Sequence, residues 1–321
     1  MKHILITGIS GQDGIFLTNK LLRDKNNHIV GISRNSNNKL LQKNISSLGT
    51  VNFNNLQIIN LDLLNEYELQ NAFQSYQFNE VYNFTGPSSV YDSLNDNGKT
   101  YFEITNIFSN LINCSLNLNV LPNFFQASSS EMFGNNLEIA LNEDSSFFPK
   151  SSYAEAKLLN HLKVLELATS YDWNIKSGIM FNHESEFRKN GYLFTKVIQT
   201  VKKIKKGELK ELVIGRLDLS RDWSFSGDIT EAVYKITNYG KNTHYVIGSG
   251  VSKTIKDLVE IVFNIYELDW EKYTKEDPGL LRKNDPISVI SNPSLIKNEL
   301  NWKPKLNFES LVERCVKKIN Q

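Results

Sequence analysis

The stretch TGISGQDG, residues 7 to 14, sits between the apolar run HILI and the amphipathic segment IFLTNKLLRD. Its glycines, Gly8, Gly11 and Gly14, recur at every third position. A glycine triplet by itself reads equally well as a turn. With a strand before it and a helix after it, the spacing lets backbone approach a pyrophosphate at the helix N-terminus. The unpaired N–H groups and positive dipole end of that helix then face the phosphates. The stretch predicts a dinucleotide cradle formed by Thr7, Gly8, Gly11, Gln12, Asp13 and Gly14.

Outward from this loop, apolar runs alternate with helical patterns. β-type runs fall at 3–7, 28–33, 56–60, 80–84, 123–128 and 175–181, and helix-like stretches at 12–24, 65–76, 100–118 and 153–171. Such alternation calls for a parallel sheet covered on both faces. The predicted fold class is α/β, a Rossmann-like doubly wound parallel sheet. After about residue 185 short strands and helices mix. Ligands of such folds sit at the carboxyl ends of the strands, so this smaller mixed α/β lobe is placed to cap a substrate. The expected division is a dinucleotide-binding domain, residues 1–182, and a substrate-binding lobe, residues 183–321, with the chain crossing back to the first domain.

Composition narrows the partners. With 321 residues and a hydrophobic fraction of 40%, the chain can bury a sizeable core. Its 36 Lys and Arg nearly match 35 Asp and Glu, for a net charge of +1. That balance argues against nucleic acid or a membrane surface as partner. No apolar run approaches the ~20 residues of a membrane span, and no signal segment precedes the first strand. Cys114 and Cys315 are far apart and form neither a disulfide framework nor a metal site, so a cytoplasmic protein without a metal is expected.

The end of the second strand should read the adenosine ribose. A carboxylate there favours NAD, because it accepts from the 2′-hydroxyl and repels a 2′-phosphate. The chain has SRNS at 33–36, with Arg34 and no acid. A guanidinium grips a phosphate in bidentate fashion, so NADP is the expected cofactor. Asp62 and Leu63, after the third strand, should border the adenine.

YAEAK places Tyr153 and Lys157 four apart, on one helix face. Alone, such a pair is commonly a surface feature. After a strand that ends in serines, it becomes a base and its electrostatic support: Lys157 and an oxidised nicotinamide should lower the Tyr153 pKa. The serine cluster QASSSEMFG, residues 126 to 134, supplies Ser129 as hydrogen-bond partner to a reacting hydroxyl. Glu131 is the informative residue. An oxidoreductase or epimerase needs no carboxylate there, whereas a dehydratase must remove a carbon-bound proton and then expel a hydroxyl. One carboxylate can do both in turn. The plainer alternative is a glutamate that caps the following turn.

The GxxGxxG spacing resembles the extended branch of the short-chain dehydrogenase/reductase superfamily. Over nearly its whole length the chain resembles the GDP-mannose 4,6-dehydratase family, on TGISGQDG, VYNF, QASSSEMFG, SSYAEAK, FNHES (181–185), RDW (221–223) and LNWKPK (300–305). The resemblance implies that Asn182 contacts substrate and that His183 and Arg188 contact cofactor. It implies that Lys196, Arg221 and Arg282 bind GDP phosphates and that Asp285 binds the ribose. It places Ser88 between cofactor and sugar, and Ser130 beside Glu131 at the departing hydroxyl. The implied reaction turns GDP-mannose into GDP-4-keto-6-deoxymannose. A dehydratase for another GDP-hexose or heptose, a GDP-sugar 4-reductase or epimerase, and a non-catalytic nucleotide-binding protein are the alternatives.

The chain also departs from that pattern. It has Ser128-Ser129-Ser130-Glu131 where the family reads Ser-Thr-Ser-Glu. TGPSSV at 85–90 puts Pro87 and Ser89 in place of Gln and His, and Asn106 and Phe108 stand where glycines are usual. Asp285 replaces a Glu, and Asn35 replaces a second Arg in an arm that joins subunits of tetrameric relatives. Apolar residues on more than one face of the stretches 100–118 and 153–171 predict a homodimer or homotetramer.

Overall fold

The computed structural model describes residues 1–34, 38–87, 96, 98–136, 140–280 and 286–320. Its first strand, KHILIT, is apolar at consecutive positions, and its last four residues are buried. A strand that is apolar on both faces belongs inside a parallel sheet, and this one stands at the centre.

The strands are β1 (Lys2–Thr7), β2 (Asn27–Ile32), β3 (Leu56–Ile59), β4 (Glu80–Asn83), β5 (Asn123–Ser129), β6 (Ile175–Met180), β7 (Asn182–Glu184), β8 (Leu212–Ile214), β9 (Ser220–Phe225), β10 (His244–Ile247), β11 (Ser252–Thr254), β12 (Thr274–Glu276) and β13 (Ser288–Val289). The helices are α1 (Gln12–Leu21), α2 (Asn38–Ser46), α3 (Glu66–Tyr76), α4 (Lys99–Leu116), α5 (Ser152–Ser170), α6 (Leu193–Lys205), α7 (Ser226–Tyr239), α8 (Ile255–Ile265), α9 (Trp270–Tyr273), α10 (Ser294–Leu300) and α11 (Phe308–Asn320). Among the described residues, the main sheet has seven strands in the order β3-β2-β1-β4-β5-β6-β10. All its pairings are parallel. This is the doubly wound topology read from the sequence, extended by β10 at one edge.

Alternation along β1 sends Ile4 and Ile6 to one face and Leu5 to the other. The first face packs with Ile15 and Leu17 of α1 and Ile229, Val233 and Ile236 of α7. The second packs with Phe73 of α3, Leu111 of α4 and Val164 of α5. Each such side chain, fully buried, contributes ~1.5–3 kcal/mol, so the sheet and its two helical layers form the rigid frame. The chain crosses back to this frame: α7, β10, Ile296 and Trp302 all belong to the first core. The first helix is shorter than the pattern at 12–24 implies. It ends at Leu21, where the Asn27 side chain donates to the Leu21 carbonyl at 2.9 Å and fixes the turn into β2.

The strand order reverses between β1 and β4, which opens a crevice at their carboxyl ends. There Thr7 donates to Asn83 at 2.7 Å, and Asn83 donates to Gln126 at 2.8 Å. All three are buried. Paired buried polar groups of this kind are worth ~1 kcal/mol each, and far more is lost if one is orphaned. They lock the ends of three neighbouring strands at the base of the crevice.

The remaining strands build a smaller region around Phe194, Trp223, Val259 and Phe308. β9 is its hub, antiparallel to β11 and parallel to β7 and β13. Two of the recognised motifs are structural here. Asp222 of RDW accepts from the backbone N–H groups of Ser249, Gly250 and Ser291 and from the hydroxyls of Ser249 and Ser291. In LNWKPK the Trp302 indole donates to the Asp228 carbonyl at 3.0 Å, and the Lys305 and Leu306 N–H groups donate to the Asp228 carboxylate. No helix among the described residues is long and apolar enough to cross a membrane.

Candidate active site

A cleft of about 710 Å³ opens at the carboxyl ends of the sheet. It runs from Arg34, Asp62 and Leu63, past the loop of Gly8, Gly11, Gln12, Asp13 and Gly14, to Ser129, Ser130, Glu131, Tyr153 and Lys157. Asn182, His183 and Arg188 complete its far wall. Thr7 sits beneath, fully buried. Lys196 and Arg221 do not line the cleft. Lys196 donates to the Val213 carbonyl at 3.1 Å, and Arg221 donates to the carbonyls of Ser220 and Pro286 at 2.7 and 2.9 Å. Ser88, Arg282 and Asp285 lie outside the described residues.

The glycine loop fits a dinucleotide by shape. Gly8 adopts φ +70°, and a Cβ on Gly14 would meet Ile9 Cα at 2.5 Å and the Gly8 carbonyl oxygen at 2.6 Å. Only glycine lets α1 start this tightly against the loop. The residue before α1, Gly11, offers no side-chain cap, so the first N–H groups of the helix remain for an anion.

At the catalytic end, Ser129 closes β5 and accepts from the Glu131 N–H at 3.2 Å. Ser129, not Glu131, therefore caps the turn Ser130–Phe133, and Glu131 lines the cleft. Ser151 caps α5 by accepting from the Ala154 N–H at 3.1 Å. This sets Tyr153 in the first turn and Lys157 one turn further on. Lys157 Nζ donates to the Ala127 carbonyl at 2.8 Å and stands 5.8 Å from the Tyr153 ring centre.

The expectation that Lys157 lowers the Tyr153 pKa meets a counter-effect. Burial pushes the phenol up to about 12, partly offset by a hydrogen bond with Ser129, while the Glu131 charge adds to the rise. Burial also brings Lys157 down to about 8. In the protein alone burial dominates, because the lysine spends its ammonium on a carbonyl rather than on the phenol.

Next to Tyr153, whose phenol feels the Arg188 charge, lies a buried charge network. His183 Nδ1 is 2.7 Å from the Phe181 carbonyl oxygen, and Nε2 is 3.1 Å from Asp13 Oδ2. Both ring nitrogens face oxygen atoms that can accept, an arrangement that favours the protonated ring. Burial opposes that charge, but the Asp13 carboxylate outweighs it and raises the His183 pKa. Burial likewise opposes the Asp13 charge, yet His183 and the Ser226 hydroxyl, 2.5 Å away, hold its pKa down. Gln12 donates to the His183 carbonyl and accepts from Ser185, both at 2.9 Å. The first two residues of α1 thus hold the segment that carries Asn182. Arg188 pairs with Glu184 at 2.9 Å and stacks 4.0 Å from the Tyr192 ring.

Three of these residues escaped the sequence reading. Glu184 stands four before Arg188, a spacing that could have signalled the pair. Ser226 and Glu103 gave no local signal. Glu103, on α4, pairs with Arg34 at 3.0 Å, so an acid does meet Arg34, from another element.

The fold is that of an extended short-chain dehydrogenase/reductase, with a cleft at the carboxyl ends of its strands that brings Ser129, Tyr153 and Lys157 together. The chain belongs to the GDP-mannose 4,6 dehydratase family, whose sequence profile matches residues 5–315. It is 30% identical over 322 residues to GDP-mannose 4,6 dehydratase 1 of Arabidopsis thaliana, covering 98% of this chain and 89% of that one. Among solved structures, the fold matches dTDP-glucose 4,6-dehydratase of Bacillus anthracis in complex with NAD (TM-score 0.84, 18% identity, covering 100% of this chain and 97% of the other). It also matches the RMD protein of Pseudomonas aeruginosa complexed with NADPH (TM-score 0.82, 18% identity, covering 99% and 98%).

Proposed function

We propose that the protein is an NADP-dependent hydro-lyase that converts GDP-mannose to GDP-4-keto-6-deoxymannose. One observation carries the reading: Glu131 shares a cleft with Ser129, Tyr153 and Lys157 while another residue caps its turn. Bound NADP supplies reversible hydride storage, filled from C4 and emptied to C6, with no net redox change. Tyr153 accepts the C4 hydroxyl proton, and Ser129 holds that oxygen. Lys157 lends positive charge from one helical turn away. The C4 ketone acidifies the C5 proton, which Glu131 removes. Glu131, with Ser130 beside it, returns a proton to the C6 hydroxyl, which leaves as water. Hydride addition at C6 then gives an enolate that takes a proton at C5, balancing the one Tyr153 accepted from the C4 hydroxyl. The test is to incubate the protein with a panel of GDP-, dTDP- and UDP-sugars and to follow loss of water by mass spectrometry. Loss from GDP-mannose is expected; loss only from another nucleotide's sugars would sink the reading.

The NADP assignment rests on Arg34 at the adenosine end of the cleft. NADP is expected to bind at least about tenfold more tightly than NAD, ~1.4 kcal/mol, and equal affinities by titration calorimetry would contradict it. Lys196, Arg221, Arg282 and Asp285 are kept as candidates for GDP contacts, and Ser88 for the sugar. The reaction is assigned to the cytoplasm, where the two buried thiols, Cys114 and Cys315, stay reduced.

The assembly is a homodimer or homotetramer. Phe102 on α4 is 60% exposed, and Leu159 and Leu162 on α5 are 47% and 50% exposed. The two helices pack side by side. An isologous contact would cover these apolar positions. Light scattering at micromolar concentration should give at least twice the chain mass, and a monomer would contradict the assembly.

A further inference from the structure

Arg34 is the cation on which cofactor choice rests, and it already has a carboxylate. Its Nη1 stands 3.0 Å from Glu103 Oε1, with the arginine side chain 69% exposed and the glutamate side chain only 13% exposed. Glu103 belongs to α4, where the neighbouring Ile104 and Ile107 are buried against the frame. The carboxylate is therefore fixed by a packed helix, whereas the guanidinium reaches it from the solvent side. Oε1 itself is fully shielded from solvent and makes no hydrogen bond among the described residues. Arg34 is its one ion-pair partner among them.

A 2′-phosphate that engages Arg34 meets this arrangement in one of two ways. It can share the guanidinium, which leaves a dianion and a carboxylate on the same cation within a few ångströms of each other. Or it can draw Arg34 away, which leaves the Glu103 carboxylate without its cation. Both cost affinity for a phosphorylated ribose, and neither affects one that carries a plain 2′-hydroxyl. Pre-orienting Arg34 works in the opposite direction, but little is gained by ordering one arginine that remains mostly in solvent. The repulsive effect wins.

We propose that Glu103 is a specificity-determining residue of the adenosine pocket, whose carboxylate competes with a cofactor 2′-phosphate for Arg34 and so narrows the preference for NADP over NAD. The proposal rests on the NADP reading above and adds a second, opposing determinant 69 positions away in sequence.

The test is binding rather than turnover: dissociation constants for NADP⁺ and NAD⁺, by titration calorimetry, in wild type, Glu103→Gln, Glu103→Ala, Arg34→Ala and the Arg34→Ala/Glu103→Gln double variant. Thermal melting confirms that each is folded. Both neutral Glu103 variants should raise the NADP⁺:NAD⁺ affinity ratio by about fivefold, equivalent to ~1 kcal/mol. Arg34→Ala should lower the ratio less when Glu103 is present than in the Glu103→Gln background, because Glu103 already occupies part of the guanidinium. A Glu103→Gln effect that persists undiminished without Arg34 overturns the competition. A ratio that stays within about twofold of wild type in both Glu103 variants, or that falls, overturns the competition, whatever the wild-type preference. A wild type that prefers NAD contradicts the NADP assignment instead, and the Glu103 variants still read the competition.

Discussion

The two ends of the cleft hold their cations in opposite ways. At the catalytic end the Arg188 and Glu184 side chains are 18% and 5% exposed, and His183 and Asp13 are nearly as enclosed, at 14% and 17%. At the other end Arg34 is 69% exposed. Breaking a buried pair strands a charge away from water at a cost of several kcal/mol, so such pairs fix positions. A pair with one partner in solvent is worth ~1 kcal/mol or less and exchanges partners freely. The Arg188 pair is held in place by burial, and the Arg34 pair is free to exchange partners.

The largest expected effects come from dividing the catalytic end itself. Under the proposed mechanism, Tyr153→Phe removes the proton acceptor of the first oxidation, so it should abolish both hydride transfer and dehydration. Glu131→Gln leaves Tyr153 and Lys157 intact and removes only the base for C5. Oxidation at C4 should persist, whereas C5 exchange and water loss should fall by about 10²–10⁴. Reduced-nicotinamide absorbance reads the first step, and deuterium uptake from heavy water reads the second. If Glu131→Gln exchanges and dehydrates at the normal rate, Glu131 is not the base, and the distinction from a reductase is lost.

Next in size is the cost of breaking each end's ion pair. Arg188→Ala leaves Glu184 buried without its cation and should destabilise the fold by ~3 kcal/mol. Arg34→Ala should cost no more than ~1 kcal/mol, and its main effect is on cofactor choice. Urea unfolding of the two variants makes the comparison directly. Equal losses would mean that the contrast in exposure carries no energetic weight.

What the sequence disclosed follows the same divide. Local signals were legible: the glycine loop, the Tyr153 and Lys157 spacing, and the serine run each depend on residues within one turn or one strand end. The six early strands appear within one or two residues of the pattern, because both faces of this sheet are buried and each strand is a plain apolar run. Partnerships across the fold were not legible. Asp13 with Ser226 spans 213 positions, and Gln12 with His183 spans 171. Arg34 read as an arginine without an acid because its acid arrives on α4. RDW and LNWKPK were recognised as family marks, yet Asp222 ties together loops of the smaller region and Trp302 packs into the core of the main sheet, and neither lines the cleft. Motif recognition found the right residues there without finding their work.

The smallest effect tests whether His183 and Asp13 truly act as a charged pair. The groups acting on the imidazole are Asp13 on α1 and the Phe181 carbonyl, which raise its pKa, Arg188, whose charge lowers it, and Glu184 from its own segment, while Ser226 on α7 donates to Asp13. Burial lowers the His183 pKa, but Asp13 raises it further than burial takes it down. A histidine whose folded value is raised adds stability that is fully present below its unfolded value and is lost as pH rises through the folded one. Asp13, held low, adds stability that is present above its unfolded value and is lost as pH falls through the folded one. The pair therefore stabilises most between the ordinary carboxylate and histidine ranges. Asp13→Asn removes the anion, keeps the side chain's shape, and returns His183 to the control of burial. The difference in unfolding free energy between wild type and Asp13→Asn should be largest near about pH 6 and should shrink toward about pH 9. A difference that stays flat across that interval would mean that His183 is neutral throughout, and that α1 is tied to the Asn182 segment by hydrogen bonds alone.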